Sequence, residues 1–505
     1  MTSELVEILH TQVERLLQVD RLQSQFEVSS IKLLAEEEVF NILEPTIAVK
    51  DAFRRRFSAD AGTFDSDRFL TATLERRIDM LGRVLSSAID AINAYRAHSK
   101  AAAVNSQYIG IFSNIEPFFH PSLTNIPIKF RALAGDSHNG GFRPLAFSDE
   151  SGALVLKFAD PRPYQVMADI LLALGRHLGV DLTPPAIFAD PDNKWYFIEY
   201  FDEERSNRVC ADIEAFVFSL GALTSAAYCL RMVDLHLENM IIVDEKPVII
   251  DPECIFYSFD NDNEAERLLN TGLLSHNVHL SALRGGSATG EPLFSFDLHL
   301  ADNGLLKYRK PIRPMRNRAR CSDGSTVDPA NHKESLIEGY KAAYDWFLHN
   351  TNGVCELIGN NVSEDFRVRY LARKTRHYAS IIHMLNLPNV ENYPRWRDEI
   401  IDRFRQSGHF PGDISETLLN AEIHDLENRD IPYFWVNAGE NCIHHRTGSV
   451  QSYDMPALIK EQAVININRL NSENLALQLA TLEEFLSLDL VPTRNNDSTQ
   501  QKSIF

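Results

Sequence analysis

No glycine precedes Gly62, so the N-terminal region is poor in the residue that tight turns and phosphate-cradling loops use. Cysteine is scarce: six in 505 residues, none in a CxxC pair, which excludes a disulfide framework and points to reduced thiols. The nearest approach to a zinc cluster is Cys442 with His444 and His445, two ligand types in one short segment, read here as surface or packing residues. No apolar run reaches the roughly 20 residues that span a bilayer. The longest, Ala215 to Leu230, is interrupted by Ser219, Thr224 and Ser225 and reads as a buried helix. The opening Met-Thr-Ser-Glu-Leu-Val-Glu has neither the basic nor the apolar region of a secretory signal, so cytoplasmic residence without a membrane partner is expected. Positive charge is in deficit as well. Lys+Arg number 50 against 70 Asp+Glu, and the resulting −20 repels nucleic-acid phosphates and anionic lipid wherever cations are not concentrated locally.

What is present is an ordinary globular composition, 44% hydrophobic and 24% charged, long enough at roughly 100–200 residues per domain for several structural units. Leu5 to Leu22 and Phe69 to Tyr95 carry apolar residues at three- and four-residue intervals, which predicts amphipathic helix over an N-terminal region 1–104. Short apolar and aromatic runs then predict strands at Ile128–Leu133, Phe142–Phe147, Ala153–Phe158 and Trp195–Phe201, in a unit spanning 105–202. A second unit, 203–333, opens with the helix from Asp212 and includes a long irregular stretch from about residue 257. Helical texture dominates a third, 334–492, and 493–505 reads as a frayed tail.

The sharpest chemical signal is Asp234-Leu235-His236-Leu237-Glu238-Asn239, then a strand Met240–Val243, a turn, a strand Pro247–Ile250 and Asp251-Pro252-Glu253. Phosphoryl transfer needs a carboxylate beside the attacking hydroxyl and oxygen ligands for magnesium. Asp234 suits the first task, His236 supports the loop, and Asn239 with Asp251 suits the second. Upstream, Lys157 ends a strand from which it can reach nucleotide phosphates, and Gly135-Asp136-Ser137-His138-Asn139-Gly140-Gly141 allows close backbone approach to phosphate oxygens. Glu199, Tyr200 and Phe201 lie where an interlobe hinge would meet adenine. A cationic run, Lys307 to Arg320, either invites an anionic partner or is a solvated loop.

These motifs, with Leu156-Lys157-Phe158, Arg369-x-x-x-Arg373-x-Thr375-x-x-Tyr378 and Asp430-Ile431-Pro432-Tyr433-Phe434, resemble the dehydratase domain of class II lanthipeptide synthetases over residues 105–490. The resemblance implies an α+β, bilobal, lipid-kinase-like core. It implies ATP- and Mg2+-dependent phosphorylation of Ser or Thr in a precursor peptide with a leader sequence, followed by phosphate elimination to dehydroalanine or dehydrobutyrine. By matching position, Lys157, Asp136, His138, Glu199 and Tyr200 would serve the nucleotide, Asn239, Asp251 and Glu253 the metal, Asp234 and His236 phosphorylation, and Arg369 and Thr375 elimination. Six residues of regular helix would leave Arg369 and Thr375 about 120° apart, so one of them must lie off a helix, with Arg373 in reserve. No zinc-dependent cyclase half is expected, which leaves ring closure to a separate enzyme. A kinase that stops at phosphorylation and a non-catalytic peptide-binding module are the rivals.

Overall fold

The computed structural model describes residues 11, 14–38, 66–104, 123, 127–133, 137–149, 152–201, 208–259, 264–285, 297–300, 306–309, 316–386, 393–407, 414–452 and 457–488. Within them the chain is a mixture of helix and antiparallel sheet, as the composition and periodicity led one to expect.

Five strands, β1 (Lys129–Ala132), β2 (Leu145–Asp149), β3 (Gly152–Lys157), β4 (Ile187–Ala189) and β5 (Tyr196–Glu199), form one antiparallel sheet in the order β1-β2-β3-β5-β4. Four of them were legible as apolar runs; β4, three residues without alternation, was not. Both faces of the sheet are covered. Ala146, Val155, Tyr196 and Ile198 face a core shared with the helix Arg162–Leu178, while Leu145, Phe147, Leu154, Leu156 and Phe197 face a second core built by the helix Ser66–Val104 and residues 16–35. A sheet buried on both faces has no polar alternation to display, which is why β3 reads Ala-Leu-Val-Leu. The N-terminal helices are therefore structural: without them one face of the sheet would be bare.

The helix Ile213–Cys229 begins with Asp212 accepting from the Ala215 amide and is buried almost all round. It packs on Lys333–His349 with backbones in contact, because Gly221 and Gly339 face each other across the crossing. A Cβ on either would lie 2.0 Å from a carbonyl oxygen of the other helix, Leu336 or Phe218. This pair anchors the hairpin β6 (Met240–Val243) and β7 (Lys246–Ile249). Farther along, β8 (Asp297–Leu300) and β9 (Leu306–Arg309) form another hairpin in the stretch expected to be irregular.

The region after Glu334, expected to be helical, also contains a four-stranded antiparallel meander: β10 (Arg367–Tyr370), β11 (Phe434–Asn437), β12 (Cys442–His445) and β13 (Gly448–Ser452). Four- and five-residue strands between longer helices leave too short a period-2 signal to stand out. Among the described residues no helix is long and apolar enough to cross a membrane.

One buried arginine ties the N-terminal helices to the rest. Arg77, 5% exposed, donates twice to Glu38 (3.0 and 3.2 Å), to the carbonyls of Asn428 and Arg429, and to Ser137 Oγ at 3.1 Å. Removing Arg77 would leave Glu38 to Arg143 alone and take a cation from buried Asp430, 3.8 Å away. Arg77→Met should lower stability by about 3–5 kcal/mol, read as an early thermal unfolding transition. Arg77→Lys should restore only part, because an ammonium cannot reproduce the two-pronged contact.

Candidate functional site

The loop after the helix Ile213–Cys229 is held by backbone bonds from three directions: Val233 N to Cys254 O (3.1 Å), Leu235 N to Thr271 O (2.8 Å) and Leu237 N to Leu280 O (3.2 Å). Gly272, at φ +85°, lets the chain pass against the Leu235–His236 backbone, where a Cβ would meet atoms at 2.8–2.9 Å. Asp234 sits in the left-handed region at φ +64°, uncommon for a non-glycine residue though more accessible to aspartate than to most. Asn239 closes the loop. Its side-chain amide donates to Asp234 O at 2.7 Å and its backbone amide to His236 O at 2.9 Å, so its carbonyl oxygen is the end left to meet a cation.

His236 accepts from the Glu238 amide at Nδ1 (3.2 Å), which places its proton on Nε2, 3.9 Å from Asp234 Oδ1. The pair is loose in this state, with His236 orienting rather than gripping the carboxylate.

Opposite this loop, β3 ends in Lys157, whose ammonium donates to Ile250 O at 2.7 Å and lies 3.2 Å from Asp251 Oδ1. Two residues on, Glu253 Oε2 is 3.7 Å from Arg369 Nη1, and the Arg369 amide donates to Glu253 O at 3.0 Å. Burial would raise the Asp251 pKa, but Lys157 and Arg369 outweigh it and hold the carboxyl below its usual range. Glu253 goes the other way, pushed up to about 7 by burial and the neighbouring Asp251 charge. Asp251 Oδ1, beside the Lys157 ammonium, and Glu253 Oε2 are buried without a well-directed hydrogen bond. Two crowded carboxylates and the Asn239 side-chain carbonyl are donors of the type magnesium takes.

His138 stacks on Tyr433 (4.9 Å between ring centres), and burial together with the Arg369 and Lys157 cations takes its pKa down to about 3, so the ring is neutral near pH 7. Tyr433 in turn donates its hydroxyl to Glu253 and lies 5.3 Å beneath the Arg369 guanidinium. Lys157, His138, Asp251, Glu253 and Arg369 thus act on one another electrostatically, and Asp234 joins them through Arg369. Glu199 and Tyr200 end β5 away from this cluster of contacts; the Tyr200 hydroxyl accepts from Arg131. Asp136 lies outside the described residues.

Two expectations, for the glycine loop and for Arg373, need correcting, while a third, that Arg369 and Thr375 do not share one regular helix, holds. Gly140 and Gly141 do not offer free amides to a phosphate: both donate to Asp430, at 2.7 and 3.1 Å, because that carboxylate is fully buried and needs donors. Arg369 and Thr375 share no helix. Arg369 is on β10 and Thr375 opens the helix Thr375–Asn386, which resolves the angular conflict of a continuous helix. Arg373 is no reserve cation, since it is 4% exposed, clamps Glu422 at 2.9 and 3.2 Å, donates to Ser407 and lies over Phe404. Two members of the cationic run are engaged in the same way, Arg318 buried on the Val327 and Arg284 carbonyls and Arg316 donating to Phe201 O, while Arg320 is exposed. Lys310 and Arg313 lie outside the described residues. Cys442 meets Ser449, His444 bonds Glu440, and His445 is buried on Asp425 at 2.9 Å, so each of those side chains has a local structural task.

Sequence reasoning named Tyr433 and Asp430 only as parts of a motif and passed over Arg77, Arg367 and Trp435. A cleft of about 570 Å³ opens between the N-terminal helix, the end of β3 and the β10–β11 edge. Glu253, Arg369 and Tyr433 lie along it, with Arg367, Trp435 and Lys194 as further lining.

Comparison with known proteins places these residues in context. The profile of a domain of unknown function, DUF4135, matches residues 112–437. A protein of Lactococcus lactis subsp. lactis named for lacticin 481/lactococcin biosynthesis, LcnDR2, is 25% identical over 284 residues. That similarity covers 51% of this chain and 30% of the relative's length.

Because Arg373 grips Glu422 within hydrogen-bond distance and Arg369 stands 3.7 Å from Glu253, the two substitutions should separate. Arg373→Ala strands Glu422 and should cost about 3–5 kcal/mol of stability. Arg369→Ala gives up a longer pair and should lower the thermal midpoint clearly less, and equal destabilisation by the two would contradict this difference.

Proposed function

The chain belongs to the DUF4135 family, the domain found in class II lanthipeptide synthetases, and on that premise we propose that it dehydrates Ser and Thr residues of a ribosomally made precursor peptide bearing a leader sequence. A part in lanthipeptide maturation follows from the relatives. The finer reading, a lipid-kinase-like bilobal core that phosphorylates the side chain and then expels phosphate, rests on the site. The observation that carries it is that the turn Asp251–Glu253 joins Lys157–Asp251 (3.2 Å) to Glu253–Arg369 (3.7 Å), with Glu253 and Arg369 lining the cleft.

In this reading MgATP, when bound, supplies the phosphoryl group and the charge that neutralises its oxygens. Asn239, Asp251 and Glu253 would hold the metal, and Lys157 would leave Asp251 for a phosphate oxygen. Asp234 accepts the proton of the attacking hydroxyl, with His236 keeping it in place. His138, neutral and packed on Tyr433, walls the site without adding charge. Glu199 and Tyr200, with Asp136, are proposed for the adenosine and phosphate flanks.

A hydroxyl leaves poorly and a phosphate well, so the first step activates the second. In elimination the Cα proton passes to a base, the Cα–Cβ double bond forms, and the Cβ–O bond breaks to release inorganic phosphate. Arg369 neutralises the anion as it develops, and the Thr375 hydroxyl, at a helix N-terminus, adds a donor.

Mass spectrometry of a Ser/Thr precursor peptide incubated with the protein, ATP and Mg2+ tests this. Wild type should give peptide lighter by water. Asp251→Asn should give neither product nor phosphopeptide. Arg369→Ala and Thr375→Ala should accumulate phosphopeptide, with elimination slowed by about 10²–10³. Stable phosphopeptide from wild type would mean a kinase alone, and unmodified peptide under all conditions would mean a binding module.

A further inference from the structure

Strand β10 presents two arginines on one face. Arg367 and Arg369 are two residues apart, hence about 7 Å along the strand, with buried Val368 pointing the other way. Each leans diagonally across the ladder. Arg369, paired with Trp435, lies over Tyr433, and Arg367, paired with Asn437, lies 5.2 Å over the Trp435 ring. The result is two arginine–aromatic rungs along the same cleft, one deep and one at its mouth: the Arg369 side chain is 12% exposed, whereas Arg367 is exposed.

The rungs differ in charge balance. Arg369 has Glu253. Among the described residues no ion pair joins the Arg367 guanidinium to a carboxylate; Asp160 meets Arg367 only at its backbone amide (3.3 Å), and most acidic side chains along the cleft have cations of their own. Asp160 is taken by Arg162 at 2.6 Å, Asp192 by Lys194 at 3.0 Å, and Asp90 by Arg21. Asp190 accepts from the Lys194 amide. A planar cation with five donors, flattened on an indole and with no carboxylate paired to its guanidinium, suits a tetrahedral oxyanion.

We propose that Arg367 on Trp435 is a second anion station at the mouth of this cleft, holding a phosphate group that passes between solvent and Arg369. This rests on the dehydratase reading for its purpose but not for its chemistry. The group is either the monoester on a phosphorylated substrate side chain moving in or the inorganic phosphate moving out, and both present the same oxygens.

The test uses the full chain without nucleotide and two probes, N-acetyl-phosphothreonine methylamide and inorganic phosphate, each followed by 31P line broadening. Wild type should broaden at least one of them, with an affinity that falls as salt rises. Arg367→Gln should weaken that binding about tenfold with an unchanged thermal midpoint, and Arg367→Lys should recover part of it. Loss for phosphothreonine alone identifies the substrate monoester as the ligand; equal loss for both identifies departing phosphate. The proposal is overturned if neither probe binds wild type, or if Arg367→Gln binds both as wild type does while Arg369→Ala does not. Failure of dehydration with a precursor peptide would remove the proposed function and leave this binding result standing, so the two can be told apart.

Discussion

Arg77 is the constraint on which the rest of the molecule depends. It comes from the middle of the N-terminal helix and touches, through one guanidinium, the acidic helix that carries Glu38, the loop of Ser137 and the turn of Asn428 and Arg429. Asp430, 3.8 Å away, is held from the other side by the Gly140 and Gly141 amides, and the Ile431 amide donates to Ser137 O at 2.8 Å. None of these groups could be buried alone, since each would carry an unmet charge or donor. Together they fix where β11 begins. Tyr433 and Trp435, the rings beneath the two cleft arginines, are three and five residues beyond Asp430.

That connection accounts for the glycines. The sequence motif suggests a loop made to cradle phosphate, yet its amides serve a carboxylate of the protein's own. A buried aspartate offers the same two-oxygen face as a phosphate, and here it joins the first sheet to the second. The glycine loop and the Asp-Ile-Pro-Tyr-Phe segment are two halves of one contact rather than two separate parts of a nucleotide site.

Legibility in the sequence followed the range of the interactions. The Asp234–Asn239 loop and the Asp251–Glu253 turn could be read because their chemistry and their supporting hairpin lie within twenty consecutive residues. The helix Ile213–Cys229 showed in its unbroken apolar texture. That Arg369 leaves the helix could be argued from spacing, but the strand that carries it could not, because Arg-Val-Arg-Tyr is too short to announce one and its partner β11 is more than sixty residues away. Nothing local distinguishes Arg373, whose burial depends on Glu422 and Phe404, from an exposed arginine. Arg77 and Arg367 were invisible for the same reason: a buried pair and a stacked cation are both defined by what arrives from elsewhere.

The contrast between Arg369 and Arg373 shows how one short segment can contain both a support and a working group. Arg373 is saturated: two carboxylate contacts at 2.9 and 3.2 Å, a serine, and an aromatic ring 4.2 Å below it. An incoming anion would have to break a buried ion pair to recruit it, at a cost of several kcal/mol. Arg369 is held by one carboxylate at 3.7 Å, beyond hydrogen-bond distance, and by a tyrosine face that leaves the guanidinium edge open to the cleft. Its partner Glu253 is itself poised between charged and neutral near pH 7 by the crowding of Asp251. A carboxylate that takes up a proton near pH 7 holds its arginine less firmly than one that stays charged, so of the two arginines Arg369 is the one an incoming anion could recruit at lower cost. The tight pairs of Arg77 and Arg373 lock the joints, and those of Asp160 and Asp192 lock the rim of the cleft, while the Glu253–Arg369 pair stays longer.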